Sequence, residues 1–350
     1  MKTNFSHIGD LGAVVKNTAL LGLLVFLALF PAVPQVFSKE PVVIMLPSGV
    51  TDVEIQQALD ALPKSGGEVV LPPETISIRQ PVVLRRDNQT LRGSDTATIL
   101  RLADDANCPV LIMGEPVNHP QITVRHLHVA DLFIDGNRRN QQRELWQLQG
   151  EGSEIRNNGI TVQGVSDSTV ENVTCAACRS GGLVTTLGVK RLTVRGLTAF
   201  DNQFDGLACY LTTHSIFSEL YLHDNPGAGI SLDLAFNHNV ISNAVLNAND
   251  LGIFMRASSD NQFHNVTIHN SHHFGVFMAQ EEFTAGGLRP SLESECTQNA
   301  FTNLTAKNCG GAAFRVNDSA CTDNIIIHPQ FAGNLEGGLS QAQPDLVTVQ

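Results

Sequence analysis

The sequence predicts an all-β solenoid of stacked parallel coils, and three observations predict it. From residue 159 a glycine recurs at Gly159, Gly182, Gly206, Gly229, Gly252 and Gly275, at spacings of 23, 24, 23, 23 and 23 residues. Each opens a short apolar strand, from GITVQG through GLVTTL, GLACYL, GISLDL and GIFMRA to GVFMAQ. Two apolar columns keep the same phase: Val170, Val194, Phe217, Val240 and Phe263, then Cys175, Ala199, Leu222, Val245 and Ile268. Recurrence of this kind marks a repeat architecture in which each turn of chain stacks on the last.

A coil near 23 residues holds three short strands joined by tight turns, and climbs one strand spacing of about 4.8 Å. The apolar columns are expected to face inward, where each large side chain contributes about 1.5–3 kcal/mol by burial. Asp201, Asp224, Asn247 and Asn270 form a polar column in a turn, placed to hydrogen-bond from coil to coil. Upstream, Thr51-Asp52-Val53-Glu54 reads as a capping box for a helix with Ile55, Leu59 and Leu62 on one face. Such a helix closes the open end of the solenoid. The segments SGGEVVLPPETISI, VVLRRDNQTLRG, ATILRL, VLIMGE and ITVRHLHVADLFIDGN read as the first, less regular coils.

Only 16% of the 350 residues are charged, which suits strands and turns better than helices. At the N-terminus Lys2 and Lys16 precede an apolar run from Ala19 to Val33, and Val36-Phe37-Ser38 follows. This reads as a secretory signal, residues 1–38, cleaved near Ser38; an uncleaved anchor is the alternative. Residues 39–350 then form one domain, with regular coils over about 159–335, secreted or periplasmic and free of the membrane after cleavage. The net charge of −12 argues against nucleic acid as a partner. It also makes tight binding of an anionic glycan depend on a local basic patch or a bridging cation.

The run from Asp52 through SGGEVVLPPETISI and LRGSD, then LFIDGN, then the glycine repeats, resembles the pectin-lyase-like superfamily over about residues 50–335. The resemblance implies a single-stranded right-handed parallel β-helix with an N-terminal capping helix, and polysaccharide as the partner. That superfamily includes pectate and alginate lyases, polygalacturonases, mannuronan epimerases and phage tailspikes, so it implies a fold and no single reaction. DGLACYLTTHS and AGISLDLAFNH resemble the coils that follow the catalytic motif of mannuronan epimerases. GLVTTL, however, stands where those enzymes carry Asp-Pro-His and an acid. Phe204-Asp205-Gly206 resembles the polygalacturonase Asn-Thr-Asp-Gly, but neither the second aspartate pair near Gly227-Ala228 nor a Gly-His-Gly near Gly252 is present.

Alternation along each glycine-led strand turns the fourth residue outward. That column reads Gln163, Thr186, Tyr210, Asp233, Arg256 and Ala279, and the following turn adds Arg191, His214, Asn237 and Asp260. Tyr210, Asp233, Arg256, His214 and Asp205 are the candidate catalytic residues. Arg256 is expected to neutralise a sugar carboxylate, His214 or Tyr210 to move protons, and Asp233 to orient a partner. Lyase or epimerase action on uronic-acid glycans is the first expectation, a non-catalytic glycan-binding β-helix the second. A hydrolase using Asp205 with Asp233 is the third. Calcium is a candidate cofactor, because Asp205, Asp233 and Asp260 are oxygen ligands near one surface.

Arg191, Asn237 and Asp260 are expected to contact substrate. Two insertions are expected to wall the groove. The first, residues 138–158, carries Arg138, Arg139, Arg143 and the only tryptophan, Trp146, suited to carboxylates and sugar faces. The second, residues 280–295, carries Glu281, Glu282 and Arg289. Seven cysteines leave at least one thiol unpaired. Cys175 and Cys178 read as structural, and the repeated turns at Cys296 and Cys321 are expected to bridge across stacked coils.

Overall fold

The computed structural model describes residues 42–142, 155–281 and 294–350. The expected signal segment lies outside the described residues, as do Arg143, Trp146, Glu282 and Arg289. The described chain is a parallel β-solenoid. One ten-stranded sheet carries the glycine-led strands, and a 17-stranded sheet supplies the rest of each coil. The helix Asp52–Ala61 stands at the N-terminal end with the expected capping box, Thr51 accepting from the Glu54 amide and Glu54 from the Thr51 amide. Its Ile55 and Leu59 are fully buried against the first coils.

Three walls arise from two sheets because the longer strands bend. Asn172, Gly196, Glu219, Asn243 and Asn265 occupy corresponding positions and all have left-handed φ values of 50–68°. One such residue turns a continuous strand through a corner without breaking its ladder. Side chain-to-side chain bonds reinforce the column: Asn265 Nδ2 donates to Asn243 Oδ1 at 3.1 Å, and Asn303 to Asn265 at 3.0 Å.

The apolar columns are inward as expected, with one correction. Val170, Val194, Phe217 and Phe263 are buried, and so are Cys175, Ala199, Leu222 and Ile268. In the intervening coil the inward residues are Ile241 and Leu246 instead, while Val240 is half-buried and Val245 exposed. Register explains it: Phe217 pairs with Ile241 and Ile241 with Phe263, steps of 24 and 22 residues. One residue is added in the turn before Val240 and one removed before Gly252, so the glycine spacing hides the slip.

The polar column is also displaced. Asp201, Asp224 and Asn270 take the left-handed turn position. The buried ladder runs through Asn202, Asn225 and Asn249: Asn202 accepts from the Cys178 amide, and Asn225 and Asn249 each accept from the backbone and side chain of the asparagine one coil before. A second buried ladder links Asn239, Asn261, Asn299 and Asn324 at another corner. These amides satisfy turn groups that would otherwise be buried unpaired at a cost of about 1–3 kcal/mol each. Between the ladders, Phe217, Phe236, Phe263, Phe301 and Phe314 fill the core, with Phe263 and Phe301 stacked at 4.2 Å.

Candidate functional site

The outward column of the ten-stranded sheet is formed as expected. Gln163 pairs in register with Thr186, Tyr210 with Asp233, and Arg256 with Ala279. Its members nevertheless fall into two groups, one lining a pocket and one closed on itself.

The pocket is lined by Arg156, Asn158, Thr161, Gln163, Ser180, Gly181, Val184, Thr186, Leu187, Phe204, Asp205, Ala208 and Tyr210. Tyr210 is largely buried and packs with Ala208 on its own strand and Val184 on the strand beside it. Asp205 Oδ1 accepts from the Ala228 amide at 2.7 Å, which holds the carboxylate at the rim. Gly181 and Ala228 occupy the equivalent position in the coils on either side, and their small size leaves the room that Asp205 faces. Gln163 is pinned, donating to the Glu115 and Val117 carbonyls. Asn158 donates to Thr161 at 2.9 Å. Ser180 is buried, and its hydroxyl has no hydrogen-bond partner among the described residues. A buried hydroxyl left unmatched in a pocket wall calls for a ligand or solvent group to complete it.

Asp233 and Arg256 belong to the closed group. Asp233 is 2% exposed. One of its oxygens accepts from Arg256 Nε at 3.1 Å and Nη2, the other from the Leu234 amide at 2.7 Å. Arg256 also pairs with Glu281, at the root of the second insertion. The Arg256 guanidinium is thus engaged by two carboxylates of the protein itself. Neither residue lines the pocket.

The turn column does not join the site. Exposed His214 lies against His238, tilted, with ring centres 5.2 Å apart, and Asp260 lies 3.6 Å from His238. Asn237 accepts from the Ser259 amide, a structural turn bond. Arg191 makes a two-point pair with Asp167 on the exposed surface. That pair holds the Asp167 carboxyl well below the usual carboxylate range. Arg138 is paired with Asp201, and Arg139 is exposed. Among the described residues no group of three or more His, Cys, Asp or Glu could hold a metal ion. Asp205, Asp233 and Asp260 each face a different partner.

All seven cysteines are free thiols, six of them buried. Cys296 and Cys321 stack as expected, but as a hydrogen-bonded thiol pair and not as a bridge. Burial pushes the Cys296 thiol well up, while the bond from Cys296 holds Cys321 below its ordinary value. Cys175 and Cys178 are fully buried in the core, and desolvation raises both. Burial pushes Cys209, on the strand that carries Tyr210, up to about 12.

Arg156, Asn158, Ser180 and Phe204 are pocket residues that sequence reasoning missed. A signal existed in the residue just before each glycine, which reads Asn158, Gly181, Asp205, Ala228, Leu251 and Phe274. Small residues on both sides of an acid in that column mark a recess.

The family model described as a right handed beta helix region matches residues 122–249 and 212–289. Among solved structures, ORF18 of Geobacillus virus E2 aligns with TM-score 0.61 and 14% identity over 88% of this chain. The chain spans about 61% of that viral protein's length. An alginate lyase from Paenibacillus sp. str. FPU-7 aligns with TM-score 0.61 and 12% identity, over 87% of this chain and 99% of its own. The endo-xylogalacturonan hydrolase from Aspergillus tubingensis aligns with TM-score 0.59 and 14% identity, over 88% and 93%. At these identities the likeness is one of fold. No curated protein matches by sequence.

Proposed function

We propose, from the parallel β-solenoid fold and the right handed beta helix match over residues 122–249 and 212–289, that the chain acts on an acidic polysaccharide at the pocket around Tyr210. The observation that carries this reading is the convergence of Arg156, Asp205 and Tyr210 on one recess beside an unmatched buried hydroxyl, Ser180. A guanidinium, a carboxylate and a phenol are the three groups that proton abstraction next to a uronic carboxylate needs. Arg156 pairs with the sugar carboxylate and stabilises the charge that develops as the carbon-5 proton leaves. Tyr210 transfers the proton, and Asp205 orients the sugar hydroxyls at the rim. In elimination, the carbon-5 proton leaves, a carbon-4–carbon-5 double bond forms, and the glycosidic oxygen departs with a proton. In epimerisation a proton returns to carbon 5 from the opposite face.

Two solved neighbours, named for alginate and for xylogalacturonan, support polysaccharide as the substrate class. Asp205 is the only carboxylate among the described residues lining the pocket, which argues against a two-acid hydrolase. Export through a leader cleaved near Ser38 belongs to this reading. The closed Asp233–Arg256–Glu281 network favours a second reading, glycan binding without turnover, because it withdraws two polar groups from the groove.

The test is ultraviolet absorbance of the unsaturated product, with mature protein and a panel of uronic-acid polysaccharides. A rise lost in Tyr210→Phe and Arg156→Ala is the expected result for a lyase. Silent absorbance with altered carbon-5 configuration by proton NMR identifies an epimerase. Retention of polymer on immobilised protein, with neither change, selects the binding reading.

A further inference from the structure

Beyond Asp233, the outward face of the same sheet changes character. The second outward column is small through Thr161, Val184, Ala208 and Ser231, then becomes Phe254, Phe277 and Arg315 in register. The column before the glycine changes likewise and ends at Phe274. Phe254 and Phe277 lie nearly parallel with ring centres 6.0 Å apart, and Phe274 stands 5.5 Å from Phe277. All three rings are half-exposed. The Arg256 guanidinium sits 5.7 Å from the centre of the Phe254 ring. Arg315 donates to Ser340 Oγ at 2.6 Å and pairs with no carboxylate among the described residues.

We propose that Phe254, Phe277 and Arg315 form a second sugar subsite, which holds a uronic-acid unit of the same polysaccharide chain that occupies the Tyr210 pocket. The inference rests on the functional reading above and assigns it a direction along the solenoid. Sugar rings bury their C–H surfaces on aromatic groups, and a guanidinium bonds a carboxylate with two parallel donors. Among the described residues the three phenyl rings make a partly exposed apolar patch on the sheet face. The occupant is committed by continuity: Phe254, Phe277 and Arg315 lie two, three and four rungs from Tyr210, about 10, 14 and 19 Å along the axis. A chain of several sugar units laid in the groove spans that interval.

The experiment measures binding by calorimetry for size-graded oligouronates, from dimers to octamers, prepared from alginate and from polygalacturonate. The full chain is compared with Phe277→Ala, Phe277→Leu, Arg315→Gln and Tyr210→Phe. For the unaltered protein, affinity is expected to climb with length. Phe277→Ala and Arg315→Gln are expected to lower octamer affinity roughly 3- to 10-fold while leaving the dimer unchanged. Phe277→Leu, which keeps an apolar side chain, controls for folding and is expected to fall between. Unaltered octamer affinity in both Phe277→Ala and Arg315→Gln overturns the subsite while leaving the pocket reading intact. No binding of any oligouronate to the unaltered protein overturns the pocket reading and the subsite together.

Discussion

Tyr210 and Asp233 are partners in register on adjacent strands, facing the same way, yet one lines a narrow recess of about 20 Å³ and the other is sealed by an ion pair. Around Tyr210 the neighbouring outward residues are Val184 and Ala208, and the acid beside it, Asp205, is flanked by Gly181 and Ala228. One rung further, Arg256 and Glu281 fill the space over Asp233. The outward position on a solenoid wall does not by itself make a group available. Availability depends on the residues one rung above and below, because a rung spacing of about 4.8 Å puts every outward side chain within reach of both. A carboxylate with a guanidinium on the next rung is spent on it.

Two substitutions separate the halves most strongly. Tyr210→Phe is expected to cut turnover on a responsive uronate polymer by about 10²–10⁴-fold, the usual weight of a proton-transfer group. Its unfolding free energy should move by no more than about 1 kcal/mol. Arg256→Ala has the opposite profile. It strips the cation from buried Asp233 and from Glu281, and a lone buried carboxylate is expensive. With the arginine side chain 28% exposed, solvent screening trims the expected loss to about 2 kcal/mol in denaturant titration. Turnover per folded molecule should stay within a few-fold of the original. If both variants lose activity equally while fully folded, the closed network is part of the site and the distinction fails.

The fold was legible because burial repeats: six glycines in phase and two apolar columns are enough to define a coil. Thr51 and Glu54 announced the end cap for the same reason, since a capping box is a local device. The slip at Ile241 and Leu246 was not legible, because an added and a removed residue cancel between two glycines. The true asparagine ladders were missed by one or two positions through the same local freedom of turns. The site was only half legible. Tyr210 and Asp205 line the pocket at positions that phase picks out, whereas Arg156 and Ser180 sit outside the strand register, in the turn that leads into it. Pairing was the harder part. Sequence showed that Asp233 and Arg256 share a face; it could not show that Glu281 returns from an insertion to complete their closure.

The thiols behind the two halves give a subtler contrast, read through alkaline pH. Burial pushes Cys209, behind Tyr210, up to about 12 and Cys108 up to about 11. An unfolded thiol ionises near 8.5, so above that pH the unfolded chain binds fewer protons than the native one. Stability therefore falls as pH rises past about 8.5, and goes on falling until the native thiols ionise. Cys209→Ala is expected to relieve slightly more than 1 kcal/mol of that loss at about pH 9.5. Cys321, behind the closed half, is held below its ordinary value by Cys296 and has the reverse sign. Cys321→Ser should make the alkaline decline steeper. Equal slopes in the two variants would mean that both thiols meet the same environment.

The smallest expected effect tests whether closure or mere pairing is what matters. Arg191 and Asp167 make a better-formed ion pair than most on the molecule, with contacts of 2.5 and 2.8 Å, but both side chains stand in solvent. The pair holds Asp167 below the usual range, so its contribution is present above about pH 4 and fades as pH falls through the lowered native value. Solvent and salt screen it throughout. Asp167→Asn is expected to leave the neutral-pH unfolding midpoint where it was, and added salt should change neither protein. A loss matching that of Arg256→Ala would show that ion pairs stabilise this wall regardless of burial. Asp233 and Arg256 would then have no claim to be frame and not site, since sealing from water is the property that sets them apart from Asp167 and Arg191.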